Sequence, residues 1–246
     1  MPQSIQSPLQ SKNLTNTLLV LTLIIASGLI GHLWTKSQYL EKGIGNVAGA
    51  GTGAAIPTQA ALPTEKVGDV DPINDDDLVR GNPKAKVALV EWSDLECPFC
   101  SSFHPTAKKV VEEYGDKVVW VYRHFPLTQI HPKAQKFAEA TECVKKISSK
   151  DKAWEFIDTI FADQSVTLDQ LPGIVSKLGV NQSKFDSCLK NDESKSAIEA
   201  QANSGTKAGV TGTPGNIVIN FETGEAKLIP GAVPFEQVKI AIDSLL

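Results

Sequence analysis

Cys97-Pro98-Phe99-Cys100 stands where an apolar run, Val87–Trp92, gives way to a segment of helical spacing. That placement constrains the fold more than the four letters do. A thiol at the start of a helix meets the positive end of the helix dipole, where a thiolate is stabilised and the thiol pKa falls below its free value of about 8.5. A second sulfur one turn further on can close a disulfide with the first, so the pair can cycle between dithiol and disulfide. Cys97, ahead of the helix, is the expected exposed and reacting sulfur. Cys100, shielded inside the helix, suits a resolving thiol.

The chain has 246 residues, 41% of them hydrophobic, enough for one good-sized core. A net charge of -4 and the lack of any Lys/Arg-rich block argue against nucleic acid as a partner. Four cysteines are too sparse for a disulfide scaffold. Cys143 and Cys188 lie on apolar faces of two helical segments, either as buried thiols or as a disulfide pinning those helices; outside the cytoplasm the disulfide is favoured. A CxxC is also half a zinc site, but zinc wants matching ligand pairs and Cys143 and Cys188 have no neighbouring His. No metal and no other cofactor is expected. His104, His124 and His131 are scattered and suggest no triad, and Trp92 and Trp120 read as core.

Leu18–Trp34 is free of Asp, Glu, Lys and Arg. As a helix it would span roughly 25 Å, close to a hydrocarbon core of about 30 Å. The run exceeds the apolar core of a typical signal peptide, and its A-x-A candidate, Ala48-Gly49-Ala50, lies well downstream. The expected organisation is an anchor or signal over residues 1–36, a flexible linker over 37–76 and a folded domain over 77–246. Gly43–Pro63, uncharged and rich in Gly, Ala, Thr and Pro, forms most of the linker. Within the domain, strands are expected at Val87–Trp92, Val118–Phe125, Ile217–Phe221 and Ala226–Ile229. Helices are expected at Ser101–Tyr114, where Pro105 should kink the chain, through a block at about 132–208, and at Pro234–Leu246.

The resulting order, β-α-β, a helical insertion, then β-β-α, resembles the thioredoxin fold. With CxxC opening the first helix and Thr213-Pro214 opening the third strand, it is similar to the DsbA-type thiol:disulfide oxidoreductases, particularly their membrane-anchored bacterial branch. Val90–Cys100, Arg123-His124-Phe125-Pro126-Leu127 and Gly209–Pro214 carry the resemblance. It implies that Cys97 and Cys100 are catalytic, with Pro98 and Phe99 between them. It implies a cis peptide at Thr213–Pro214 packed against the CxxC, leaving the preceding backbone free to pair with substrate. It implies that Glu91 is a buried acid accepting the proton of the second thiol; the plainer reading is an edge-facing carboxylate in solvent. Pro98-Phe99 lacks the His that the most oxidising members carry, which implies a less stabilised Cys97 thiolate.

The activity so implied is extracytoplasmic introduction of disulfides into secreted or membrane proteins. Unfolded or reduced secreted proteins would be the substrates. A membrane quinone-linked oxidase of the DsbB or vitamin K epoxide reductase type would reoxidise the pair. The alternatives are a thiol reductase or disulfide isomerase, and a chaperone-like peptide-binding module in which CxxC is a structural disulfide.

Overall fold

The computed structural model describes residues 67–246. The expected anchor and the linker up to residue 66 lie outside the described residues. Among the described residues no helix is long and apolar enough to cross a membrane.

Five strands form one sheet in the order β1-β3-β2-β4-β5. They are β1 (Leu78–Gly81), β2 (Val87–Ser93), β3 (Val118–His124), β4 (Gly215–Asn220) and β5 (Ala226–Pro230). β2 and β3 run parallel, joined through helix α1 (Pro98–Tyr114), and the other pairings are antiparallel. Every residue of β2, β3 and β4 is buried, Glu91, Ser93, Arg123, His124, Asn216 and Asn220 included, so burial does not alternate along these strands. Alternation instead sorts their side chains between two cores. Leu89, Trp120 and Val218 join Phe103, Ala107 and Val110 of α1 and Val238 and Ile242 of α7 (Phe235–Asp243). Val90, Trp92, Val121 and Ile217 face the other way.

Between β3 and β4 come five helices, α2 (Ala134–Ile147), α3 (Lys150–Ala162), α4 (Leu171–Lys177), α5 (Gln182–Lys190) and α6 (Lys195–Ala208). A disulfide joins Cys143 on α2 to Cys188 on α5, with the Cα atoms 5.9 Å apart. The helix α6 packs on the second face, where the Trp92 indole donates to the Gln201 carbonyl at 3.0 Å. Gly205 permits that approach, since a Cβ there would stand 2.6 Å from the Trp92 ring.

The structure corrects three expectations. The linker was expected to run to residue 76, but Val67, Val70 and Ile73 pack against the second core. The Gly68 amide donates to the Ala208 carbonyl at 3.0 Å, at the end of α6. A Cβ on Gly68 would meet the Lys207 carbonyl oxygen at 2.0 Å, so a glycine is needed there. Second, Leu78–Gly81, at the end of an acidic lead-in over 65–80 in which no strand was expected, is an edge strand on β3. Third, α1 begins at Pro98, earlier than the expected Ser101, and continues through Pro105 to Tyr114. A proline is tolerated at the first helical position because its missing N–H has no intrahelical partner there.

Arg123 ties the lead-in down. Its Nε and one terminal nitrogen donate to the two Asp77 carboxylate oxygens at 3.0 and 2.9 Å, and that nitrogen also reaches the Pro72 carbonyl at 3.1 Å. Both side chains are 2% exposed. Removing one partner of such a pair leaves a buried charge uncompensated, so Arg123→Ala should cost about 3–5 kcal/mol. Arg123→Met/Asp77→Leu should cost less, because a buried pair and an apolar replacement are nearly equal in energy. Urea denaturation of the two variants decides this; an Arg123→Ala midpoint equal to wild type would show that the pair does not hold the segment.

Candidate active site

The site forms where β2 ends. Cys97 is the N-cap of α1, with extended backbone, and its carbonyl accepts the first helical bond from the Ser101 amide at 3.1 Å. This follows from the sequence: the strand ends at Ser93, Asp94–Glu96 turn the chain, and Pro98 fixes the first helical torsion. Cys97 and Cys100 are not joined, so the dithiol state is the one described.

Cys97 is not the exposed sulfur that its position suggests; it is 3% exposed, against 0% for Cys100. Cys97 Sγ lies 3.4 Å from the Thr213 carbonyl oxygen, brought in from the segment before β4. The Thr213–Pro214 peptide is cis. A groove of about 210 Å³ runs beside it, lined by Val210, Thr213, Pro214, Leu228 and Ile229. Phe99, 66% exposed, stands free between the cysteines.

The two thiols are pushed in opposite directions. A hydrogen bond from the Cys100 thiol, joined by the Thr213 side chain and the Phe99 and Cys100 backbone amides, brings Cys97 down to about 5 against the resistance of burial. Burial pushes Cys100 well above the ordinary thiol range, and the charges of Glu91 and Cys97 add to it. Pro98-Phe99 supplies no imidazolium, but the neighbouring thiol and the helix amides hold the thiolate in its place.

Glu91 is fully buried, so the solvent-facing reading of this residue does not hold. Its Oε2 accepts from the Trp120 indole at 3.0 Å. Burial raises its carboxyl to about 7, with Ser93 and Trp120 opposing. A carboxyl poised there can take or return a proton near neutrality.

Asp94 carries a role that the sequence did not disclose. It is 2% exposed, and its oxygens accept from the Glu96 amide at 2.8 Å, the Leu127 amide at 2.9 Å and His131 Nδ1 at 2.7 Å. Its own amide donates to Cys100 Sγ at 3.5 Å. The carboxylate thereby clamps the turn before Cys97 to the segment after β3, and Lys133 adds a backbone bond to Glu96 at 2.6 Å. A second cluster, His104 with Asp158 and Arg80, lies along α1 beyond Cys100. Among the described residues no three His, Cys, Asp or Glu side chains gather as a metal-binding group.

A thioredoxin family profile matches residues 74–243, most of the chain and all of this site. The chain belongs to the thioredoxin family. Within that family it is DsbA-like. It is similar to Pseudomonas aeruginosa DsbA2, with 29% identity and a TM-score of 0.61 over 69% of this chain and 93% of that one. The fold is shared with oxidised BdbD of Bacillus subtilis, at 21% identity and a TM-score of 0.61 over 74% of this chain and 98% of that one. A stretch of 141 residues, 57% of the chain, is 33% identical to part of the Na(+)/H(+) antiporter NhaA 3 of Salinispora tropica. The chain spans only about a fifth of the length of that antiporter, 21%.

Two outcomes are expected. Thiolate ultraviolet absorbance of the reduced protein should be lost on acidification with a midpoint near 5 and should be absent in Cys97→Ser. Because the folded pKa lies below the unfolded one, the stability Cys97 lends the reduced form is full above about pH 9 and vanishes as pH falls through about 5. A midpoint near the free value of about 8.5 would overturn the assignment. Glu91 has the opposite sign. A carboxyl raised to about 7 makes the fold progressively less stable between its unfolded pKa and about 7. Glu91→Gln should therefore gain up to about 3 kcal/mol over wild type at pH 8 and nothing at pH 4. Parallel stability curves for the two proteins would refute a raised Glu91.

Proposed function

We propose that the protein is an extracytoplasmic oxidase that introduces disulfides into secreted or membrane proteins. The opposite displacement of the two thiols carries this reading. A stable Cys97 thiolate favours the reduced enzyme, so the Cys97–Cys100 disulfide gives up its oxidising equivalents readily. A substrate thiolate attacks Cys97, the bond to Cys100 breaks, and Cys100 leaves with a proton from Glu91. A second substrate thiolate then attacks the substrate sulfur of the mixed disulfide and expels Cys97 as its thiolate. Two electrons pass from the substrate to the enzyme pair. The exposed ring of Phe99 and the groove beside Pro214 offer apolar contact to a chain that is still unfolded.

The proposal includes a membrane tether formed by Leu18–Trp34, residence of the domain in the periplasm or at the cell surface, and a quinone-linked oxidase of the DsbB or vitamin K epoxide reductase type as the reoxidising partner. The apolar run ahead of the domain supports the first. The disulfide between Cys143 and Cys188 supports the second, since such bonds persist in oxidising compartments. A reductase or isomerase would use the same residues from the reduced state, and a binding module would use the groove alone.

Equilibration with glutathione separates these readings. An oxidase should be half-reduced at a potential above about -200 mV; a value near that of thioredoxin, about -270 mV, would favour the reductase. Cys97→Ser and Cys100→Ser should abolish oxidation of a reduced dithiol protein, while Cys143→Ala/Cys188→Ala should retain most of it and lose about 2–4 kcal/mol of stability. A Cys97 that resists a small alkylating agent at neutral pH would favour the binding module.

A further inference from the structure

Nine buried side-chain polar atoms have no hydrogen-bond partner among the described residues, and six belong to Glu91, Ser93, Tyr122, His124, Glu142 and Asn216. They are not scattered. The register of β2 and β3 sets Glu91 beside Tyr122 and Ser93 beside His124, and the register of β2 and β4 sets Glu91 beside Asn216. Strand alternation places all of these on the face that carries Leu89 and Trp120. The Tyr122 and His124 rings meet edge to face with centroids 5.3 Å apart. His124 Nε2 lies 3.5 Å from Glu142 Oε1 on α2. Glu142 pairs with Lys145, whose ammonium also donates to the Asp76 carbonyl at the exposed margin.

Polar atoms within a protein core are nearly always bonded, to protein or to ordered water, because an unbonded one costs free energy. A set of them at neighbouring register positions is costly unless it does something. This row starts at the carboxyl that must give Cys100 a proton and ends where α2 meets solvent. Glu91 itself is 0% exposed and cannot exchange protons with bulk water directly.

We propose that Ser93, Tyr122, His124 and Glu142 form the proton exit of the active site, connecting Glu91 to solvent beside Lys145. His124 is the relay, since an imidazole can accept a proton on one nitrogen and release one from the other. The inference rests on the oxidoreductase cycle above. When the reduced pair is reoxidised, Cys97 is first joined to an external sulfur. Cys100 then gives its proton to Glu91 and attacks Cys97, the Cys97–Cys100 bond forms, and the external thiolate leaves. Glu91 hands its proton along the row to water, and the reverse path resupplies it when Cys100 departs. The groups facing His124 are Tyr122 from its own strand, Ser93 with Glu91 and Asp94 from β2 and its turn, and Glu142 with Lys145 from α2. His131 is held by Asp94, and α6 contributes the neutral Gln201, which accepts from the His124 amide at 2.7 Å. Burial would raise the Glu142 carboxyl, but His124 and Lys145 outweigh it and hold it below its ordinary value, an acceptor at the mouth of the route.

The test uses the full chain carrying glutathione on Cys97, formed from the reduced protein and glutathione disulfide, and times the release of glutathione by Cys100 across neutral pH. His124→Gln, which keeps an amide in place of the imidazole, should slow release about tenfold relative to mixed-disulfide formation. Adding imidazole as a diffusible proton carrier should restore the rate in proportion to its concentration. Glu142→Gln should slow the same step and flatten its pH profile, and it serves if His124→Gln folds poorly. Wild-type release rates in both variants, or a slowed rate indifferent to imidazole, would overturn the proposal. If wild-type protein forms no mixed disulfide at Cys97, the oxidoreductase cycle fails, and the exit falls with it.

Discussion

Denial of water at the carboxyl end of β2 governs the chemistry of this domain. Burial is the leading cause of the raised Glu91 carboxyl, the raised Cys100 thiol and the raised Tyr122 phenol. All three lie on or against the central strands, whose residues are wholly buried. Cys97 escapes this pattern because the Cys100 thiol donates to it, helped by Thr213 and by the backbone amides at the open end of α1. The same dry environment therefore makes one sulfur an anion and keeps its neighbour protonated. Roles that elsewhere require different residue types are divided here between two cysteines by position alone.

The turn that holds Cys97 is itself held from a distance. Asp94 collects donors from its own turn and from the segment after β3, and Thr213 arrives from beyond the helical insertion. The Cys143–Cys188 bond staples α2 to α5 within that insertion. Geometry at the sulfur thus depends on pieces of chain that meet only once the sheet has closed.

Much of this was legible in the sequence, for a local reason. The CxxC, the largely apolar runs of β2, β3 and β4 and the spacing of Phe103, Ala107 and Val110 are each written within a dozen residues, and with Thr213-Pro214 they resemble the thioredoxin fold closely enough to give the order of elements along the chain from β2 onward. What was illegible is non-local. Leu78–Gly81 follows an acidic run and becomes a strand only because β3 offers it an edge. The burial of Cys97 comes from Thr213, and the lead-in is packed because Arg123 finds Asp77. Glu91 was readable as buried or edge-facing until its neighbours were known. Cys143 and Cys188, free or paired on sequence, lie on helices whose packing brings their Cα atoms together. His124 entered only among scattered histidines and in the Arg123–Leu127 stretch, and Glu142 not at all, since neither stands in a pattern with the other.

The bond from Gly68 to Ala208 has a mechanical consequence. It clips the first described residues of the domain to the last turn of α6, one peptide ahead of Gly209 and the segment that brings Thr213 to Cys97. With a backbone hydrogen bond at that point and no room for a side chain, the strap cannot slide past the helix end. A pull on the chain ahead of residue 67 would load α6 at its hinge with the Gly209–Pro214 segment before it reached the sheet. Under the tether and groove roles proposed above, traction and occupancy would then act on the same few residues, so reach toward a substrate and grip on it would not be independent.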